Sequence, residues 1–254
     1  MISLAGKAAV ITGGSRGIGA AAVKLFAQAG ADVVFNYNRN REAAQHVEQE
    51  ARKHGTRVES LKADLSNMAD AKKLIDHAAT RLGHLDILVA NAGVWNAEDA
   101  PIEQLTERQW DDMLRINLKS VYSVVHHVSA RMIAQKSGRI IAISSTAGQR
   151  GEAFHAHYAA SKGAIISMVK GLSTELARHN ILVNCVAPGW VDTDMSKPAF
   201  GDRKTMKQIL AKQPLHRVAT AEECAGPVLF LASDLSSYIT GEILNVNGGS
   251  VLCG

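Results

Sequence analysis

Little in this 254-residue sequence can staple a chain or bind a metal. The cysteines, Cys185, Cys224 and Cys253, are far apart and lack metal-ligand spacing, which excludes a disulfide framework and a zinc module. They read as reduced thiols, Cys185 within a strand and Cys253 at the tail as a reactive candidate. His126-His127 and His155-x-His157 have no accompanying Cys, Asp or Glu cluster, so no metal site is expected. The net charge of +4 is small for the length and its signs are interspersed, which speaks against nucleic-acid binding. No apolar run approaches the roughly 18 residues of a membrane span. Met1 to Gly6 lacks the basic start and apolar core of a signal peptide, so the expectation is a cytoplasmic protein off the membrane. No linker, repeat period, low-complexity block or shift in composition divides the chain, and one domain over 1–254 is expected.

What is present begins at the first apolar run, Ala8 to Thr12, which reads as a buried parallel strand. It is followed by Gly13-Gly14-Ser15-Arg16-Gly17-Ile18-Gly19 and a helix expected from about Gly17, with Ala21, Leu25 and Ala29 as its apolar face and Gly30 as its stop. Glycines between a strand and a helix start let backbone N–H groups approach a pyrophosphate, helped by the positive end of the helix dipole. The spacing Gly13, Gly17, Gly19 departs from Gly-x-Gly-x-x-Gly, and taken alone it equally describes a tight turn without a ligand.

A second constellation favours the ligand. Tyr158 and Lys162 are four apart, and on a helix such residues share a face with Cβ atoms roughly 5 to 6 Å apart. Ser144 and Ser145 end the apolar run Arg139 to Ile143, where an open α/β sheet places its functional loops. A neighbouring ammonium favours the phenolate, so Lys162 is expected to lower the Tyr158 pKa and make it a better proton relay.

With these motifs in this order, nearly the whole chain resembles the short-chain dehydrogenase/reductase family. The resemblance implies a Rossmann-like α/β fold, a doubly wound parallel sheet of about seven strands with helices on both faces. It implies a nicotinamide-dependent oxidoreductase acting between carbonyl and alcohol. Ser145 would hold the substrate oxygen, Tyr158 would transfer the proton, and Lys162 would bind the nicotinamide ribose and tune Tyr158. Asn117 would anchor a water linking Lys162 to solvent; without the resemblance it reads as a buried polar residue satisfied by backbone. Gly13, Ser15, Arg16, Gly17, Ile18 and Gly19 would cradle the cofactor. Asp64 and Leu65 would meet the adenine, although Asp64 could equally cap a helix starting near Ser66 or Asn67. Asn91-Ala92-Gly93 would line the cofactor site, with Asn91 mainly a sheet stabiliser because Ala90 replaces a usual asparagine. Pro188, Gly189, Val191 and Thr193 would close over the nicotinamide and pyrophosphate.

Charge argues for which nicotinamide. The region about 20 residues beyond the glycine turn, where an acid would grip the ribose hydroxyls of NAD, reads Asn36-Tyr37-Asn38-Arg39 with no carboxylate before Glu42. Asn38, Arg39 and Arg16 therefore point to NADP.

Strands are further expected near 32–36, 57–62, 86–90, 139–144, 181–187 and 242–246, with helices between them. The longest helices, about 107–135 and 157–178, carry a wide apolar arc including Trp110, Leu114, Leu118, Val121, Val125, Val128 and Met132. Core packing explains much of that arc, and the family's habit of pairing these helices implies a homotetramer. The segment 194–212 reads as an amphipathic lid, with Met206, Ile209 and Leu210 at helical spacing. Trp95, Phe154, Trp190, Met195 and Phe200 are candidate pocket walls. Within the family the chain is most similar to 3-oxoacyl-acyl-carrier-protein reductases, including the ending Asn247-Gly248-Gly249. That implies an acyl-thioester substrate and an acidic carrier protein docked by basic residues beside the crevice, of which Lys136 is one, while His179 beside Arg178 stands where an arginine is frequent. A free sugar, polyol, steroid or aromatic ketone is the competing substrate class, and a non-catalytic NADP-binding regulator ranks below both because Ser145, Tyr158 and Lys162 are all present.

Overall fold

The computed structural model describes residues 2 to 252, so Cys253 lies outside the described residues. Its strands are β1 (Ala8–Ile11), β2 (Asp32–Tyr37), β3 (Val58–Lys62), β4 (Ile87–Ala90), β5 (Gly138–Ile143), β6 (Ile181–Pro188) and β7 (Ile243–Val246). All pair in parallel in one sheet ordered β3-β2-β1-β4-β5-β6-β7. Each lies within a residue or two of the run that predicts it, because parallel strands buried on both faces are continuous apolar runs. Val10 pairs with Val34 on one side and Leu88 on the other. The order reverses between β1 and β4, and a doubly wound sheet opens its crevice at that switch point.

The helices are α1 (Gly17–Gln28), α2 (Arg41–Arg52), α3 (Met68–Leu82), α4 (Glu107–Leu114), α5 (Ser120–Gln135), α6 (Thr146–Arg150), α7 (Ala156–Leu176), α8 (Lys197–Phe200), α9 (Arg203–Ala211) and α10 (Ala221–Ala232). Alternate strand residues feed two cores. Ala9 and Ile11 pack under α1, α2 and α10, whereas Ala8 and Val10 pack under α3, α5 and α7.

Three expectations change in detail. The buried side of α1 is a wider arc than Ala21, Leu25 and Ala29: Val23 and Phe26 are wholly buried, and Leu25 and Ala29 only partly. The helix is held between the sheet and α10, so a single stripe does not describe it. The long helix over 107–135 is interrupted by a π-turn, Arg115–Lys119, that carries Asn117. A one-residue surplus of this kind swings a side chain off the helical phase and is frequent at functional sites. The segment 194–212 holds two helices, α8 and α9, separated at Gly201, with Asp202 capping α9 through the Thr205 N–H at 2.7 Å. Ile209 is its buried anchor.

Candidate active site

A cleft of about 770 Å³ lies along the carboxyl ends of the strands. Its floor is the glycine turn. Gly17 has φ +54, a left-handed conformation that side chains rarely adopt, and it lets Arg16 serve as N-cap of α1. The first turn of α1 has no acidic residue and no side-chain cap, so no carboxylate competes for its orphan N–H groups, and the cradle fits a diphosphate. The turn is held from below. Gly13 N donates to Asn36 Oδ1 at 2.9 Å, and Asn36 Nδ2 donates to Ala63 O at 3.0 Å. Asn91 Nδ2 donates to Thr12 O at 2.8 Å, and Thr12 Oγ1 accepts from the N–H groups of Asn91 at 2.8 Å and Ala92 at 2.9 Å. Asn91 thus ties the end of β4 to that of β1. Gly19 does not line the cleft. A Cβ there would overlap Gly13 O and lie 2.5 Å from Asn91 Nδ2, so it serves close packing beneath the cradle and not ligand contact.

At the next strands Ser145 caps α6, accepting from Ala147 N at 3.1 Å, and Ser144 Oγ donates to Lys162 O at 2.8 Å, pinning α7 to β5. The α7 pair shares one face as its spacing predicts. Lys162 Nζ donates to Ile143 O at 3.0 Å and stands 5.9 Å from the centre of the Tyr158 ring. The electrostatics correct the expectation of a lowered phenol. Burial pushes Tyr158 up to about 12; a Ser145 hydrogen bond works against this, and the Glu152 carboxylate adds to it. Burial also brings Lys162 down to about 8. Desolvation of the charged form is the largest influence on each group, and the phenol holds its proton at neutral pH.

Asn117 is wholly buried and does not line the cleft. Its Oδ1 accepts from Val94 N at 2.7 Å and its Nδ2 donates to Val94 O at 2.9 Å, so it fixes the loop after β4. Gly93 leaves the room for this: a Cβ there would come 3.1 Å from Asn117 Oδ1 and 3.4 Å from Lys162 Nζ.

Residues 13–250 match the family model described as enoyl-(acyl carrier protein) reductase. The 3-oxoacyl-[acyl-carrier-protein] reductase FabG of Chlamydia muridarum is 41% identical over 247 residues, 97% of this chain and 98% of that protein. The chain belongs to the short-chain dehydrogenase/reductase family. Two solved structures are similar over almost their whole length. A short-chain dehydrogenase from Burkholderia cenocepacia in complex with NADP is 32% identical with TM-score 0.89, over 97% of this chain and 98% of the other. An NAD⁺-bound xylitol dehydrogenase is 30% identical with TM-score 0.91, over 96% and 99%. Like other members, the chain is an oxidoreductase acting on CH–OH and C=O groups.

Most of the residues singled out in the sequence line this cleft. Gly13, Ser15, Arg16, Gly17 and Ile18 line it beside Asn38, Arg39, Asp64 and Leu65. Asn91, Ala92, Gly93, Pro188, Gly189, Val191 and Thr193 continue the wall to Ser145, Tyr158 and Lys162. Arg16 and Arg39 are exposed on one rim, and among the described residues neither is in a salt bridge. Asp64 does not cap α3; Asn67 does, and Asp64 Oδ1 instead accepts from Ser66 Oγ at 2.7 Å. Trp95, Trp190 and Met195 line the cleft, but Phe154 and Phe200 do not. Phe154 is 53% exposed with φ +62, in a turn whose carbonyl accepts from Ala100 N, and Phe200 packs behind Trp190.

Lys136 and Arg178 do not flank the crevice of their own chain. Lys136 ends α5 just before β5 and Arg178 precedes β6, so both sit at the opposite end of the sheet, roughly 20 Å from Ser145 at about 3.3 Å per strand residue. Sequence reasoning missed Asn36, Thr12 and Glu152 as working parts. A polar residue inside a buried apolar strand was the available signal for Asn36; Glu152 had none.

Proposed function

We propose that this chain reduces 3-oxoacyl thioesters with NADPH. The observation that carries the reading is Tyr158, proton-holding and lining one cleft with Ser145 and Lys162, in a chain 41% identical to a 3-oxoacyl-carrier reductase. When bound, the nicotinamide cofactor supplies the hydride. Ser145 donates a hydrogen bond to the substrate carbonyl oxygen, and Tyr158 gives that oxygen its proton. Lys162, held by Ile143 O, keeps positive charge beside the phenol as the proton leaves and holds the nicotinamide ribose. Asn117 positions this pair by fixing Val94 and the loop that passes over Lys162. A phenol that keeps its proton at neutral pH is in the form that reduction requires of its proton donor.

Arg16 and Arg39, on one rim without salt-bridge partners, suit a 2′-phosphate and make NADP the preferred cofactor. Asp64 and Leu65 take the adenine side. The segment 194–212 acts as a lid of the single domain 1–254, the assembly is a homotetramer, and the protein works in the cytoplasm on substrate delivered as a thioester, with acyl carrier protein as partner. Among the described residues no helix is long and apolar enough to cross a membrane. The test follows oxidation of NADPH and NADH against acetoacetyl thioesters, free and carrier-linked. Turnover with a clear NADPH preference is expected. A protein that reduces free ketones but no thioester contradicts the substrate class, and an NADH preference contradicts the cofactor. A monomeric mass by light scattering would remove the tetramer.

A further inference from the structure

Four aromatic rings from different segments touch in series at the Trp95 end of the cleft. His155, between α6 and α7, stacks on Trp95 with centres 5.2 Å apart and planes 24° apart. Trp95, after β4, meets Trp190, after β6, edge to face at 5.5 Å and 89°. Trp190 in turn leans on Phe200 of α8 at 5.7 Å. Because β5 lies between β4 and β6 in the sheet, the two touching indoles span the exit of the strand that delivers Ser145. Both indoles line the cleft together with Ser145 and Tyr158, whereas His155 and Phe200 stand behind them.

The backing is firm on the β4 side. His155 is 5% exposed, and its ring nitrogens lie 2.9 Å from Asn96 O and 3.2 Å from Ala153 O. Ala100 N donates to Phe154 O at 2.9 Å. The loop that carries Trp95 is therefore tied at two points to the segment leading into Tyr158. A wall built of two braced indoles is apolar, and it bounds the cleft that Ser145 and Tyr158 also line.

We propose that Trp95 and Trp190 form an aromatic arch that sets substrate size, admitting a reacting carbonyl with a short acyl group and turning long acyl chains away, with His155 and Phe200 as positioning residues. The inference rests on the carbonyl-reductase reading above. The experiment measures kcat and KM of the full chain and of Trp190→Ala, Trp95→Ala and Trp190→Phe with acetoacetyl and long-chain 3-oxoacyl N-acetylcysteamine thioesters, after melting and NADPH titration of each variant. The unaltered protein is expected to favour acetoacetyl. Either alanine variant should raise the long-to-short ratio of kcat/KM roughly tenfold or more, since each methylene admitted to an apolar pocket discriminates by about that factor. The gain should fall in KM for the long chain, and Trp190→Phe should retain the original ratio. If one alanine variant does not fold, the other wall carries the test. Equal use of both thioesters by the unaltered protein, or a ratio that neither alanine variant moves, overturns the arch while leaving the functional reading intact. A protein that reduces neither thioester loses both.

Discussion

A single methyl group at Gly19 tests the link from packing to cofactor binding. In Gly19→Ala the new Cβ would sit 2.9 Å from the carbonyl carbon of Gly13 and 2.5 Å from Asn91 Nδ2. Carbon atoms in contact prefer about 3.5 Å or more, and Gly13 O is closer still, so the Gly13 peptide must retreat by more than roughly 0.6 Å. It has nowhere soft to go: Gly13 N is held by Asn36 Oδ1, and Asn91 Nδ2 is held by Thr12 O. Overpacking against backbone of this kind costs about 1 to 3 kcal/mol. For a chain of this size each kcal/mol lowers Tm by about 2 to 4 °C. The variant should melt several degrees early and bind NADPH about tenfold or more weakly by fluorescence titration, because a displacement of this order disturbs a cradle that must meet its ligand closely. Gly171→Ala in α7 is the control, since nothing lies within 4 Å of its Cβ and alanine is the better helix former; it should melt at or above the original temperature. A Gly19→Ala protein that melts and binds cofactor like the parent would refute the reasoning.

Two further outcomes follow from charge. Lys162, brought down to about 8, is mostly an ammonium at neutral pH and loses that charge above it, so kcat/KM for NADPH, which reports the free enzyme, should be level below pH 7 and fall about tenfold per unit above pH 8. A rate level to pH 10 would dismiss this role for the lysine. Arg16→Ala with Arg39→Ala should raise KM for NADPH by about tenfold and leave KM for NADH within about twofold, since only one cofactor carries the 2′-phosphate; equal losses for both would show that these arginines do not read it.

How much was legible in the sequence depended on how local the cause was. The strands could be read because burial on both faces writes an unbroken apolar run, and the Tyr158–Lys162 pairing because helix pitch fixes it. The π-turn at Arg115–Lys119 could not be read: the apolar arc from Trp110 to Met132 continues through it, and only the fit of Asn117 against Val94 explains the extra residue. The direction of the Tyr158 shift is not written in the sequence for a similar reason, since a four-residue spacing reports an ammonium nearby but not the burial that raises the phenol. Phe154 and Phe200 show that an aromatic near the crevice in sequence can face away from it, and Lys136 shows that a charge close to β5 along the chain can sit at its other end. Asn36 joins β2 to the glycine turn across 23 residues, a contact that no local pattern records.

The most direct measurement is made on Tyr158→Phe, which removes one oxygen and leaves the ring against Lys162. The variant should bind NADPH with unchanged affinity and reduce acetoacetyl thioester about 10² to 10⁴ times more slowly, the factor expected for losing a positioned proton donor. Turnover within a few-fold of the parent, with cofactor still bound, would contradict the claim that this phenol delivers the proton.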